Sequence, residues 1–476
     1  MSGSDKVYTR PTPSIIDCTL REGMQAPGVQ FTAGQSLEIA QLLSELGVDM
    51  IECGYPFMSS QEHARVRRIT ELGLSTPILS HARANEDDIL AVAQTGAQWV
   101  GIFLGVNGIS RDARIPNRSL DDLFRMIDKS VRYAISLGLS VRYTVEDASR
   151  TDQKDLYKAF KIAIDAGASR IGYADTVGIL EPQEVTQRVS ELKKVIPSIP
   201  VEAHFHDDRG LSMANALAAI DSGVDWVSTA VNGIGERCGI TDLCGLLANL
   251  LYRGDRPLPN PRQMIDLSRR VSTYARSYPD HRRPVVGRNA FSHTAKLHVE
   301  AARRRSVAYE WLSPDLVDRE REDNLKTLPS SKDWVVSAKK IPSTELRHHR
   351  RGPGERYVLI DERFVSDSRQ YCIARKIPLL EDYGEGHVDS HIHHCDSLFI
   401  FLGDSDNYEG LMAEVELEND KFVVSSPASV FIPAGVRHSY RVLSGSGTYI
   451  NHVLSGSYNE SLLEPVLKKH ENSTKP

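Results

Sequence analysis

The sequence predicts an α/β chain in three parts: a (β/α)8 barrel, a helical accessory region and a C-terminal all-β barrel. Short apolar runs rich in β-branched residues alternate with amphipathic helical stretches from residue 14 to about 252. Polar residues gather where those apolar runs end, which is where such barrels build their sites. From about residue 355 the texture changes to closely spaced alternating strands.

The expected barrel strands are "SIID", "DMIECG", "PILSHA", "WVGIFLG", "SVRYTVE", "RIGYADT", "VEAHFH" and "WVSTAVNG". Helical stretches separate them, several ending in a glycine suited to a C-cap. Eight such units without a Gly-rich phosphate fingerprint favour a closed barrel over an open doubly wound sheet. The barrel is assigned to residues 1–254 and a charged, mainly helical region to 255–320. Residues 321–354, rich in Ser, Lys, Pro and His without a period, read as a connector. An all-β domain follows at 355–463, and 464–476 is a polar tail.

The 476 residues are 41% hydrophobic and 25% charged, with a net charge of −6, which argues against nucleic acid or anionic membrane as the main partner. The clusters "RRR" (303–305) and "HHRR" (348–351) read as solvated surface. Six cysteines without CxxC spacing suit reduced thiols in a cytoplasmic protein. There is no apolar signal core at the N-terminus, and no run approaches the roughly 18 apolar residues of a membrane span.

At the strand ends lie Asp17 to Gln25, Glu52, Asn107, Arg142, Thr144, Glu146, Asp175, Thr176, Asn232 and the stretch "HFHDD". His204 and His206, two apart on a strand, point to one face. Two imidazoles plus a carboxylate, with positions left open, make a catalytic divalent-metal site. The residues alone leave Asp17 and Glu22 both open as the third ligand.

Together "DCTLREGMQAPGVQFT", "GVDMIECGYP", "VEDASR", "ADTVGI", "HFHDDRG" and "VNGIGERCGIT" resemble the homocitrate synthase and isopropylmalate synthase family of metal-dependent barrels. "AFSHTAKLH" extends the resemblance to about residue 320. It implies that Glu22, His204 and His206 hold zinc, manganese or magnesium, with Asp17 a strand-end support. It also implies a Claisen-type condensation of acetyl-CoA with a 2-oxo acid, followed by thioester hydrolysis. Arg21 would then stabilise the developing alkoxide, and Thr176 would hold the substrate's 1-carboxylate. Gln25 belongs with the substrate-binding residues. Glu146, His298 and Tyr309 match the family's proton-transfer residues. His298 would reach a neighbouring subunit's barrel, which implies a homodimer. Here Lys296 in "AKLH" departs from the family's usual glycine.

Arg142 and Thr144 resemble the position that binds the distal carboxylate in homocitrate synthases. An arginine aimed into an apolar pocket would go unpaired with an aliphatic substrate. Ile240 in "GERCGIT" also matches the homocitrate branch. The loop "GVNGISRDARIPNRS" departs from that branch: most of Arg111, Arg114 and Arg118 read as solvated, and one could instead meet a distal anion. Phosphonopyruvate and oxaloacetate therefore stand beside 2-oxoglutarate as candidate substrates. Finally, "GHVDSHIHHCDSLFIFLG" and "SPASVFIPAGVRHSYRV" resemble the two cupin motifs, placing His391, His393 and His438 on metal-binding positions. The usual glutamate, expected near Ser397, is missing; three imidazoles can still hold zinc, iron or nickel, with His394 or Asp396 as possible substitutes for it. Competing readings are a carbon–carbon lyase or aldolase on the same barrel, an isopropylmalate-type synthase, and a degenerate barrel carrying a ligand-sensing cupin.

Overall fold

In the computed structural model, eight parallel strands close in sequence order into one barrel: β1 (Ser14–Asp17), β2 (Met50–Glu52), β3 (Ile78–Arg83), β4 (Trp99–Phe103), β5 (Ser140–Val145), β6 (Arg170–Asp175), β7 (Val201–Phe205) and β8 (Trp226–Thr229). The structure describes residues 12–323, 334–350, 352, 354–365, 368–384, 386 and 388–464. The chain divides into two compact units, residues 1–325 and 326–476.

Closure comes from β1 pairing with both β2 (Ile16 opposite Met50) and β8 (Ser14 opposite Trp226). Both faces of these strands are covered, so they read as continuous apolar runs. The surrounding helices are α1 (Ala33–Leu46), α2 (Ser60–Thr70), α3 (Glu86–Ala93), the short α4 (Gly108–Arg114), α5 (Leu120–Ser136), α6 (Gln153–Asp165), α7 (Pro182–Val195), α8 (Ser212–Asp221) and α9 (Leu243–Arg253). Their ends follow local chemistry. Thr32 and Gln35 form a capping box for α1, which stops at Gly47 in the left-handed region (φ 91°). Deep in the barrel the Arg170 guanidinium lies between Trp99 and Trp226, 4.7 and 3.9 Å from their ring centres.

The accessory region holds α10 (Gln263–Ala275) and α11 (Lys296–Arg304). The Tyr274 hydroxyl donates to Glu38 at 2.6 Å, tying α10 to α1. Strands β9 (Ser292–His293) and β10 (Glu322–Asp323) form a two-residue parallel pair.

The second unit is antiparallel. One sheet runs in the order β11 (Lys339–Ile341), β12 (Arg356–Ile360), β13 (Tyr371–Ile377), β19 (Gly447–Val453), β14 (Ser397–Gly403) and β17 (Ala428–Ile432). The other runs β16 (Asp420–Ser425), β15 (Leu411–Leu417), β18 (His438–Gly445). Phe399, Phe401, Val415, Tyr440 and Tyr449 share its core. Part of the expected connector is structured: β11 pairs with β12, Lys340 opposite Tyr357. Three residues reading "KKI" are too short and too charged to show a period. Among the described residues no helix is long and apolar enough to cross a membrane.

Candidate metal and acid–base centre at the barrel mouth

The chain turns sharply after β1, with the Arg21 and Glu22 amides both donating to the Cys18 carbonyl. That turn lifts Glu22 towards β7, where His204 and His206 face it. One ligand atom from each of the three residues lies within 4.8 Å of the others. The two Nε2 atoms are 3.3 Å apart, and His206 Nε2 is 4.0 Å from Glu22 Oε1. Burial would raise the Glu22 pKa, but Arg21, His204 and His206 outweigh it and hold it at about 2. Burial lowers the His204 pKa to about 3, with His206 adding to the effect, and also lowers that of His206. An ionised carboxylate beside two neutral imidazoles fits a divalent cation. Asp17 sits apart from this group. It is fully buried, accepts from the Thr19 amide at 2.9 Å, and leaves Oδ2 without a partner.

These ligands open into a cavity of about 820 Å³. Its inner wall is a network of buried charge. Arg142, 3% exposed, donates to Glu52 at 2.9 Å and to Glu202 at 2.7 Å. Glu52 also meets Arg21 at 3.0 Å, His81 Nδ1 at 2.8 Å and the Cys18 thiol at 3.0 Å. Glu202 also accepts from Ser228 at 2.8 Å and pairs with Arg170 at 3.4 Å. Burial would raise the Glu52 pKa, yet Arg142 and Arg21 hold it well below the usual range. Burial, with Arg21 nearby, lowers His81 to about 4, so it is neutral at pH 7. Three guanidiniums (Arg21, Arg142, Arg170) thus offset three carboxylates (Glu22, Glu52, Glu202), a net of zero. This corrects one expectation: Arg142 does not depend on a substrate for its partners, because β2 and β7 each supply a carboxylate.

Two glycines make room for this arrangement. A Cβ at Gly101 would sit 2.5 Å from Arg142 Nη2, and one at Gly172 would sit 2.3 Å from Thr144 Oγ1. Higher on the wall, Glu146 pairs with Arg114 of α4, whose guanidinium also lies 5.5 Å from the Phe103 ring centre. Burial raises the Glu146 pKa while Arg114 opposes the rise. Thr144, Thr176 and Gln25 line the same cavity. Thr176 Oγ1 accepts from the Asp147 amide at 2.8 Å, and Gln25 Oε1 lies 3.4 Å from Arg21 Nη1. Asn107 instead caps α4, accepting from the Ser110 amide at 2.7 Å.

His298 and Tyr309 stack with ring centres 4.1 Å apart, both exposed, and neither lines the cavity of its own chain. Sequence reasoning placed Glu52 at a strand end without a specific role and did not single out His81 or Glu202. Glu202 carried a usable signal, since 202, 204 and 206 alternate along β7 and share one face.

In the second unit, His391, His393 and His438 also bring one ligand nitrogen each within 4.8 Å. Burial lowers His391 to about 2 and His438 to about 4, and lowers His393 strongly. His348 and His349 are not simply solvated surface: they lie 5.6 and 6.3 Å, ring to ring, from His391. The fold draws this basic-looking stretch inward because the His349 amide follows a turn from Leu346 and residue 349 bridges Val388.

Comparison with known proteins covers mainly the barrel. The HMGL-like family matches residues 12–272. The homocitrate synthase of Sulfurisphaera tokodaii is 39% identical over 312 residues, 65% of this chain and 68% of that protein. The homocitrate synthase of Pyrococcus abyssi is 39% identical over 308 residues, 64% of this chain and 84% of that protein. Among solved structures, the HMG-CoA lyase of Bacillus subtilis superposes with a TM-score of 0.51 at 16% identity, over 57% of this chain and 96% of the lyase, a likeness of fold. The metal-ready strand ends, the closed barrel and these matches place the chain in the HMGL-like family.

Proposed function

We propose that the barrel unit is a homocitrate-synthase-like acyltransferase joining acetyl-CoA to an acidic 2-oxo acid, with a divalent metal held by Glu22, His204 and His206. The observation that carries the reading is the convergence of those three ligands with Arg21, Glu146 and Arg142 on one cavity. The bound metal supplies Lewis-acid polarisation of the 2-oxo carbonyl.

The chain's own groups do the rest. Glu146, its pKa raised by burial, takes a proton from the acetyl methyl. Arg21, held in place by Glu22 and Glu52, aims a fixed guanidinium at the oxygen that gains charge as the carbon–carbon bond forms. Thr176 holds the 1-carboxylate, Gln25 lines the entrance, and Arg142 with Thr144 receives the distal group. Water then cleaves the thioester, releasing CoA and a hydroxy acid. His298 and Tyr309, exposed and stacked on each other, serve the barrel of a second copy in a homodimer.

Charge favours an acidic substrate. The inner wall is already balanced, so a divalent cation adds two unmatched positive charges. A dicarboxylic oxo acid cancels them and an aliphatic one leaves an excess. Arg114, half exposed and paired with Glu146, can also turn to a distal anion, which keeps phosphonopyruvate beside 2-oxoglutarate and oxaloacetate. The six cysteines are free, in keeping with a cytoplasmic enzyme. The second unit is read as a cupin-type domain whose His391, His393 and His438 hold a second metal.

Thiol trapping of released CoA tests the main reading, with 2-oxoglutarate, oxaloacetate, phosphonopyruvate and 2-oxoisovalerate supplied in parallel. Release with an acidic oxo acid and little with 2-oxoisovalerate is expected. Preference for 2-oxoisovalerate overturns the charge argument, and no release with any of them overturns the synthase reading.

A further inference from the structure

We propose that Tyr458 supplies an oxygen ligand to the metal held by His391, His393 and His438, replacing the carboxylate that this site lacks, and that the site is thereby suited to iron(III). This rests on the three-histidine reading above and adds the fourth ligand.

The histidines are set up to coordinate through Nε2. His391 Nδ1 lies 2.8 Å from the Asp389 carbonyl and His438 Nδ1 lies 2.9 Å from the Val436 carbonyl. A carbonyl can only accept, so both Nδ1 atoms carry the proton. His393 Nδ1 lies 2.7 Å from Ser461 Oγ, which itself donates to the Tyr458 carbonyl at 2.6 Å. That hydroxyl has spent its proton and accepts from His393. That leaves all three Nε2 atoms for coordination, in a group where one ring nitrogen of each histidine lies within 4.8 Å of the others. The Nε2 atoms of His393 and His438 are buried with no hydrogen-bond partner. Outer hydrogen bonds of this kind fix ring and tautomer in metal sites, and buried lone pairs left bare are costly.

Tyr458 completes the group. It is 2% exposed, and its ring flanks His393 and His391 with centres 5.0 and 5.9 Å away. Its hydroxyl lies 3.0 Å from His391 Nε2 and 2.8 Å from His349 Nε2. The phenolic oxygen thus lies within hydrogen-bond reach of one imidazole nitrogen on either side. With His349 in the tautomer protonated on Nδ1, the phenolic proton can be directed to His349 Nε2. Directed to His349, it leaves the oxygen free beside His391 Nε2, at a spacing two ligands of one metal can share. Ser397, at the start of β14 where the sequence expects the carboxylate, has a buried hydroxyl with no hydrogen-bond partner. The placement is built into the chain after β19. His394 and Leu463 amides donate to the Ser461 and Ile392 carbonyls at 2.8 and 2.9 Å, pinning the 457–463 turn onto the histidine segment. Three imidazoles accept zinc, copper, iron or nickel. On coordination the phenolic proton passes to His349 Nε2, and the hard phenolate oxygen that remains moves that preference to iron(III).

The test uses the full chain carrying Glu22→Ala, so that bound metal reports on the second unit. Metal-free protein is loaded with iron(II), desalted, oxidised in air, and read by iron content, visible absorbance and resonance Raman. One iron per chain with a phenolate-to-iron(III) charge-transfer band and phenolate ring modes is expected. Tyr458→Phe should keep the iron and lose the band. Iron bound without the band in the parent, or a band that survives in Tyr458→Phe, overturns the tyrosine ligand and leaves the three histidines standing. Retention of iron by His393→Ala, or no binding of iron or zinc by the parent, overturns the three-histidine site itself. If Tyr458→Phe does not fold, the parent's Raman spectrum alone decides.

Discussion

Arg142→Met removes the cation shared by Glu52 and Glu202 while keeping most of the side chain's volume. Both contacts are short, 2.9 and 2.7 Å, and all three residues are buried. Breaking a buried pair from one side costs about 3–5 kcal/mol, because the partner is left charged and dry. Glu52 keeps Arg21 and His81, and Glu202 keeps Arg170 and Ser228, so the lower end, about 3 kcal/mol, is expected. For a unit of this size that is a fall of roughly 4–6 °C in melting temperature. The double variant Arg142→Met with Glu202→Met should lose less than the sum of the two single losses, since the pair is removed together, although Arg170 then lacks its carboxylate. The KM for the acidic oxo acid should stay high in both variants, because neither has a cation for the distal group. Differential scanning fluorimetry and initial rates separate the two roles. Additive melting shifts in the double-mutant cycle would refute the coupled network, and an unchanged KM in the double variant would refute the distal-group role.

Arg114→Met removes an influence that lowers the Glu146 pKa. A base works deprotonated, so the acidic limb of the pH profile of kcat/KM should move to higher pH, and an unmoved limb would remove Glu146 as the base. Asp17 is raised from 3.8 to about 7 by burial, so between those values the folded state holds a proton that the unfolded state has lost. Its contribution is full below pH 3.8 and is lost as pH rises towards 7, on the order of 4 kcal/mol at most; Asp17→Asn should flatten that part of the stability curve in urea titrations, and an identical slope would count against it. Glu146→Gln should lower kcat by roughly 10²- to 10⁴-fold with the metal content unchanged. Mixing inactive His298→Ala and Arg21→Ala chains under verified subunit exchange should restore some turnover, and no recovery would exclude a shared site.

The barrel was legible because the strands are mostly apolar and several of the intervening helices carry start or stop signals. Glu22 was separated from Asp17 only by resemblance, since sequence does not reveal that the chain turns back on Cys18 and carries residue 22 across the mouth. The inner wall was legible in part. Arg142 and Glu52 stood at strand ends, but their pairing depends on the relative heights of β2, β5 and β7, which follow from barrel closure. His81 was hidden inside an ordinary-looking strand. Tyr458 could not be read from any period: it lies in an irregular turn, and its position follows from backbone bonds to a segment more than sixty residues earlier.

The interlocked inner wall also bears on how such an enzyme can change. Any single replacement among Glu52, Arg142 and Glu202 strands a buried charge, so a lineage drifting one codon at a time meets a loss of stability before it reaches a differently shaped cavity floor. Arg114 stands outside that lock, on a short exposed helix with a single carboxylate partner. New substrate preferences are therefore reached most readily by varying the rim, while the floor is inherited whole.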